Sequence, residues 1–162
     1  MDYNRVIRDL NGLSEEELIG RIQKNFNVSS DFKNKSPSRP HEFGMYLKGK
    51  WYRLEVTGDK LSEKGLIEKL DVRLLQDHLL SPVLGIQDPR TDKRIKFIGG
   101  IRGVTELERL VNSGEFVVAF SMYPPTLKEL MEVADSGQVM PPKSTWFEPK
   151  LLSGIFTHLL DN

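Results

Sequence analysis

Lys143, Ser144 and Thr145 stand together behind Pro141-Pro142 and ahead of Trp146, Phe147 and Pro149. An ammonium beside two hydroxyls can hold a phosphate or a carboxylate. The prolines restrict the backbone that presents them, because each fixes its own φ and biases the preceding residue toward extended conformations. The same residues also suit a plain structural corner, with the hydroxyls capping nearby backbone groups. Both uses are open. Ser144 has no lysine following it at helical spacing, so nucleophilic catalysis of the Ser-x-x-Lys kind has no support.

A second group is Gly99-Gly100-Ile101-Arg102-Gly103, where a strand runs through glycines toward a helix. Such a junction can turn backbone N–H groups toward an anion, with Arg102 as a charged clamp. Its spacing matches neither a P-loop nor a dinucleotide fingerprint. A tight turn requiring glycine is the simpler account. The candidate ligand-binding residues are therefore Gly99, Gly100, Arg102, Lys143, Ser144 and Thr145. No catalytic residue and no cofactor is indicated.

His41, His78 and His158 are widely separated, and none has a second ligand at zinc-enzyme spacing, so no metal is expected. Asp88, Arg90, Asp92 and Arg94 alternate in charge after Gly85. This pattern suits a solvated ion-pair surface, or one rim of a cleft if it lies near Arg102. Trp51, Tyr52, Trp146 and Phe147 could stack on a planar ligand, but aromatics in such settings more often fill a core.

These groups must be positioned by a series of short elements. Residues 3–10 alternate loosely as a first strand and end at the turn Asn11-Gly12. Ser14 with Glu17 forms a capping box, and Leu18, Ile22 and Phe26 then share one helical face. Residues 29–40 and 57–64 are polar and read as exposed loops. Residues 42–47 and 51–56 form a β-hairpin around Lys48-Gly49-Lys50. A helix near 71–80 is expected, with Asp71 as N-cap and Pro82 as its stop.

Residues 95–98 suit a strand, and 116–123, nearly all apolar, suit a central strand covered on both faces. Thr105 with Glu108 and Thr126 with Glu129 open two further helices that end at Gly114 and Gly137. Their likeness is shared capping chemistry, not a repeat. A last strand is expected over 155–160. The fold class is α+β (mixed α/β): a single domain, residues 1–162, with an antiparallel hairpin and short helices packed on a mixed sheet.

The chain has 162 residues, enough for one domain with a core of its own. Lys plus Arg and Asp plus Glu each number 23, so no net field favours nucleic acid. There is no cysteine, which rules out disulfide and thiol chemistry. No run approaches the roughly 20 apolar residues of a membrane span, and residues 1–10 do not form a signal peptide. Neither a nucleic-acid nor a membrane partner is expected, and the cytoplasm is the expected location.

Several blocks together resemble a bacterial and archaeal family known as domain of unknown function 1015, in its C-terminal part. They include Tyr3-Asn4-Arg5-Val6, His41-Glu42-Phe43-Gly44-Met45-Tyr46, residues 85–92 from Gly85 to Asp92, Gly99 through Gly103, and residues 140–150 from Met140 to Lys150. The resemblance implies full-length relatives more than twice this length. It also implies an upstream half with an Asp-Gly-His-His-Arg-type stretch similar to ParB and sulfiredoxin-like nucleotide-binding proteins. Here no two histidines adjoin.

The resemblance further implies a link to serine metabolism. The expected function is a domain that helps form an anionic metabolite or nucleotide site, inactive alone, with the catalytic residues in that N-terminal half. The alternative is a non-catalytic packing or oligomerisation domain, in keeping with a homo-oligomer.

Overall fold

Period-2 alternation along the strands divides the core between two faces of one sheet. The structure, a computed structural model, describes residues 2–30, 32–58, 61 and 65–145. Its strands are β1 (Tyr3–Ile7), β2 (Phe26–Ser30), β3 (Glu42–Leu47), β4 (Lys50–Val56), β5 (Ile95–Gly99) and β6 (Val118–Met122). Among the described residues they form one six-stranded sheet in the order β2-β4-β3-β6-β1-β5. Every pairing is antiparallel, so the expected mixed sheet is corrected while the α+β class stands. The expected last strand at 155–160 lies outside the described residues.

One face carries Ile7, Phe43, Met45, Leu54 and Phe120, and packs on α1 (Glu15–Ile22) and α2 (Asp71–Leu75) through Leu18, Ile22 and Leu74. The other face carries Val6, Tyr46, Trp51 and Ala119, and packs on α3 (Gly103–Asn112) through Leu107 and Leu110. Each fully buried Leu, Ile or Phe contributes about 1.5–3 kcal/mol relative to an exposed one. Trp51 and Tyr52 are thus core residues of the hairpin.

Local chemistry sets the helix starts, with some departures from expectation. Ser14 and Glu17 form the capping box of α1, and Thr126 and Glu129 that of α4 (Leu127–Asp135). Phe26 does not extend α1. It opens β2, which also takes Ser29 and Ser30 out of the expected loop. Asp71 is the first residue of α2, not its N-cap, and its carboxylate accepts instead from the His41 backbone N–H at 2.8 Å.

The expected Thr105–Glu108 box is also absent: α3 begins at Gly103, and Glu108 accepts from Trp51 Nε1 at 2.8 Å. Residues 32–41 are tied to the sheet, where Ser121 Oγ donates to the Lys35 carbonyl at 2.6 Å. No helix among the described residues is long and apolar enough to cross a membrane.

Candidate functional site

Arg5 occupies an inward position of β1, on the α2 face with Ile7 two residues on, where an apolar side chain is the norm. It is 4% exposed. Its Nη1 reaches the Tyr3 carbonyl and Met122 Sδ, and its Nη2 donates to the Lys143 carbonyl at 3.0 Å. The guanidinium also lies 5.2 Å from the centre of the Phe97 ring, its cross-strand neighbour on β5. None of these partners is a carboxylate. Burial without a counter-charge pushes the Arg5 pKa down to about 9.

Arg5 lines a cleft of about 420 Å³. Facing it are Arg73 from α2 and Gln76 from the π-helical turn (Gln76–Leu80) that continues that helix. Spacing of three puts both on one side of the helix. Asp88 and Arg90 supply a polar rim, and Phe97, Pro141 and Pro142 supply apolar walls. Arg73 is paired with Asp77 at 3.1 Å and Arg90 with Asp88 at 2.8 Å, which leaves Arg5 as the cation of the cleft without an acidic partner among the described residues. The Arg90 hydrogen bond holds the Asp88 carboxyl below the usual range.

None of the six anticipated residues lines this cleft, although Pro141 and Pro142, just before Lys143, do. Gly99 pairs with Tyr3, and the Gly100 N–H donates to the Asp2 carbonyl at 2.9 Å. A Cβ on Gly100 would overlap the Asp2 carboxylate, so glycine is needed there for close approach. Arg102 is exposed and ion-paired with Glu106 at 3.8 Å; it does not line the cleft. The charged run therefore borders Arg5, not Arg102.

Lys143 has φ 60°, and its Nζ lies 5.7 Å from the centre of the Tyr3 ring. Ser144 is buried and donates its hydroxyl to the Pro141 carbonyl, closing the turn. Thr145 is half-buried. Both turns thus meet the start of β1, one at Asp2 and the other at Tyr3 and Arg5. Trp146 and Phe147 lie outside the described residues.

Elsewhere, His41 Nδ1 meets the Asp71 carboxylate at 3.1 Å. Burial raises the Asp71 pKa, and the hydrogen bonds from His41 partly offset this. No cluster of metal-ligating side chains occurs among the described residues.

Arg5, Arg73 and Gln76 were not singled out from sequence. An arginine in register with the inward residues Tyr3 and Ile7 was the available signal for the first. For the other two it was the i, i+3 spacing of polar groups on one side of the helix, beside Val72 and Leu80.

Residues 1–73 match the family profile described as "Protein of unknown function (DUF1015)". The match supports the family resemblance over those residues, while the blocks at 85–92, 99–103 and 140–150 lie outside it. Among curated proteins none matches the chain. Two solved structures share the fold with a TM-score of 0.53. One is a conserved hypothetical protein from Pyrococcus furiosus, 18% identical, with 89% of this chain and 53% of that chain covered.

The other is described as a free serine kinase in complex with AMP, 17% identical, with 88% and 51% covered. A point mutant of free serine kinase, also in complex with AMP, matches at TM-score 0.51 and 20% identity, over 88% of this chain and 51% of that one. The likeness at these identities is one of fold, and the chain spans about half the length of these structures.

Proposed function

We propose that the chain forms part of a binding site for a small phosphorylated or otherwise anionic metabolite, a nucleotide included, with Arg5 as its anchor. The observation that carries this is a guanidinium, buried at the edge of a cleft, whose partners are two carbonyls, a thioether and an aromatic ring. A buried charge lacking a counter-charge is unfavourable, and an anion in the cleft supplies the missing one. The planar fork of arginine suits the oxygens of phosphate or carboxylate.

In the same proposal, Arg102 and Lys143 stand outside the cleft lining and lend it only longer-range positive charge, with Ser144, Thr145 and the Gly99-Gly100 turn shaping the backbone that meets β1. The structures described as free serine kinase with AMP make a nucleotide the first ligand to try. We place the reacting groups in an upstream half like that of longer relatives, linked to serine metabolism, so that this chain alone binds without turnover. Calorimetric titration of the chain with inorganic phosphate and with AMP tests the proposal. Saturable binding of either supports it, and no heat from both at millimolar concentration contradicts it.

A second function has its own support. Leu127 and Met131, spaced i, i+4 on α4, are 76% and 60% exposed. Such an apolar pair suits a packing or oligomerisation surface. Light scattering across a concentration series separates a self-associating chain from a constant monomer.

A further inference from the structure

His41 and Asp71 stand apart from the Arg5 cleft and take no part in the site proposed above. His41, just ahead of β3, has φ 67°, uncommon for a residue that carries a side chain. Three bonds hold it there. Its N–H donates to Asp71 Oδ1 at 2.8 Å, its carbonyl accepts from the Val56 N–H at 3.0 Å, and its Nδ1 meets the same Oδ1 at 3.1 Å. An oxygen that accepts the backbone N–H accepts from the ring as well, so the hydrogen-bond network assigns the ring proton to Nδ1. The neutral ring then keeps its lone pair on Nε2.

That lone pair is reachable. Nε2 has no hydrogen-bond partner among the described residues, whose buried unpartnered side-chain atoms are Arg73 Nε and Gln76 Oε1 alone. Nε2 is therefore open to solvent, on a side chain 33% exposed, with the Asp71 carboxylate shielded behind it.

Two clefts meet at His41. One, of about 200 Å³, has Leu66, Leu70 and Val133 as apolar walls and Lys69, Glu129 and Glu132 as charges of both signs. The other, of about 400 Å³, adds Arg39 and Glu55, which are paired with each other. No residue of either lines the Arg5 cleft. Cations and carboxylates together favour a neutral substrate over a strongly charged one.

We propose that His41, positioned by Asp71, is a nucleophilic imidazole that takes the acyl group of small, neutral, activated esters. Nε2 forms a bond to the carbonyl carbon, and the C–O bond to the leaving alcohol breaks, releasing it as its oxyanion. The acylated ring is an imidazolium whose Nδ1 proton still faces the Asp71 carboxylate, and that charge stabilises it. Water then adds to the acyl carbon and the C–N bond breaks, which returns the lone pair to Nε2. The proton that water gives up matches the released oxyanion, so ester and water become acid and alcohol.

The test follows p-nitrophenyl acetate hydrolysis by the whole chain, in wild type and in His41→Asn, since asparagine tolerates positive φ. Wild type is expected to be at least about tenfold faster, with the transient acetyl group mapped to His41 by mass spectrometry. Equal rates in the two folded proteins overturn the proposal, as does acetylation confined to lysines such as Lys69.

Asp71→Asn keeps an oxygen for the His41 N–H and removes the charge. It is expected to slow hydrolysis at least about threefold and to move the ring proton off Nδ1, read by nitrogen-15 NMR of the imidazole. An unchanged rate and an unchanged tautomer overturn the part given to Asp71. Labelling of wild type with diethyl pyrocarbonate decides the matter if the variants do not fold: His41 is expected to react faster than N-acetylhistidine, and a slower or equal rate overturns the proposal.

Discussion

The Nη2 of Arg5 donates to the main-chain carbonyl of Lys143 at 3.0 Å, across 138 residues of sequence. This bond ties the inward edge of β1 to the proline-framed turn, and it uses the turn's backbone, not its cationic side chain. The ammonium of Lys143 lies beside Tyr3 instead. The turn thus positions the buried cation, while its own charge stays outside at the rim.

Gly44 of β3 is closely approached by neighbouring segments. A Cβ there would collide with Ser121 Oγ and come within 2.5 Å of the Lys35 carbonyl and 3.0 Å of Trp51. Backbone cannot yield as a flexible side chain can, so Gly44→Ala should lose about 1–3 kcal/mol of stability, as overpacked core sites do. Urea denaturation measures it, and a loss below about 0.5 kcal/mol would contradict the close packing.

Glu108 joins three elements, accepting from Trp51 on β4 and pairing with Lys35 at 2.8 Å. Hydrogen bonds from Lys35 and Trp51 hold its carboxyl below the usual value. Its contribution is therefore complete above the unfolded carboxylate range and is lost as pH falls through the lower folded value. Glu108→Ala should cost about 1–2 kcal/mol at neutral pH. The difference from wild type should shrink below about pH 4.3. A difference that grows in acid has the wrong sign for this account.

Arg102 and Lys143 are both exposed. Alanine at either position should change stability by no more than about 0.5 kcal/mol. If they lend charge to the cleft, phosphate affinity should fall roughly twofold to fivefold in each, in line with exposed charge interactions. Unchanged affinity in both variants removes them from the site, leaving Arg5 and Arg73.

Much of the fold was legible because its signals are local. Ser14 with Glu17, Thr126 with Glu129, and the apolar run at 116–123 each act through neighbours in sequence. The mistaken elements show where local rules yield to tertiary partners. Asp71 and Glu108 have the residue types of caps, but His41 and Trp51, 30 and 57 residues away, take their carboxylates. Phe26 continued a helical spacing, yet pairing with Val56 placed it in β2.

Little of the cleft was legible, for the same reason. Glycine and proline mark the turns at 99–103 and 140–145 in any sequence. That Arg5 is buried against Phe97, Met122 and Lys143 depends on strand order, which brings β5 and β6 to either side of β1. The rim at Asp88 and Arg90 was readable as a possible cleft edge, but its partner across the cleft was not.

The most direct test titrates inorganic phosphate and AMP into wild type and an Arg5→Gln variant, with melting temperature measured on both. Glutamine keeps a donor for a neighbouring carbonyl and removes the charge. Its stability should stay within about 2 kcal/mol of wild type, because losing a buried unpaired cation offsets the lost hydrogen bonds. The account predicts at least about a tenfold loss of affinity with the fold intact, as expected for a hydrogen-bonded charge pair. Unchanged affinity together with a large fall in melting temperature would make Arg5 a structural strut and contradict it.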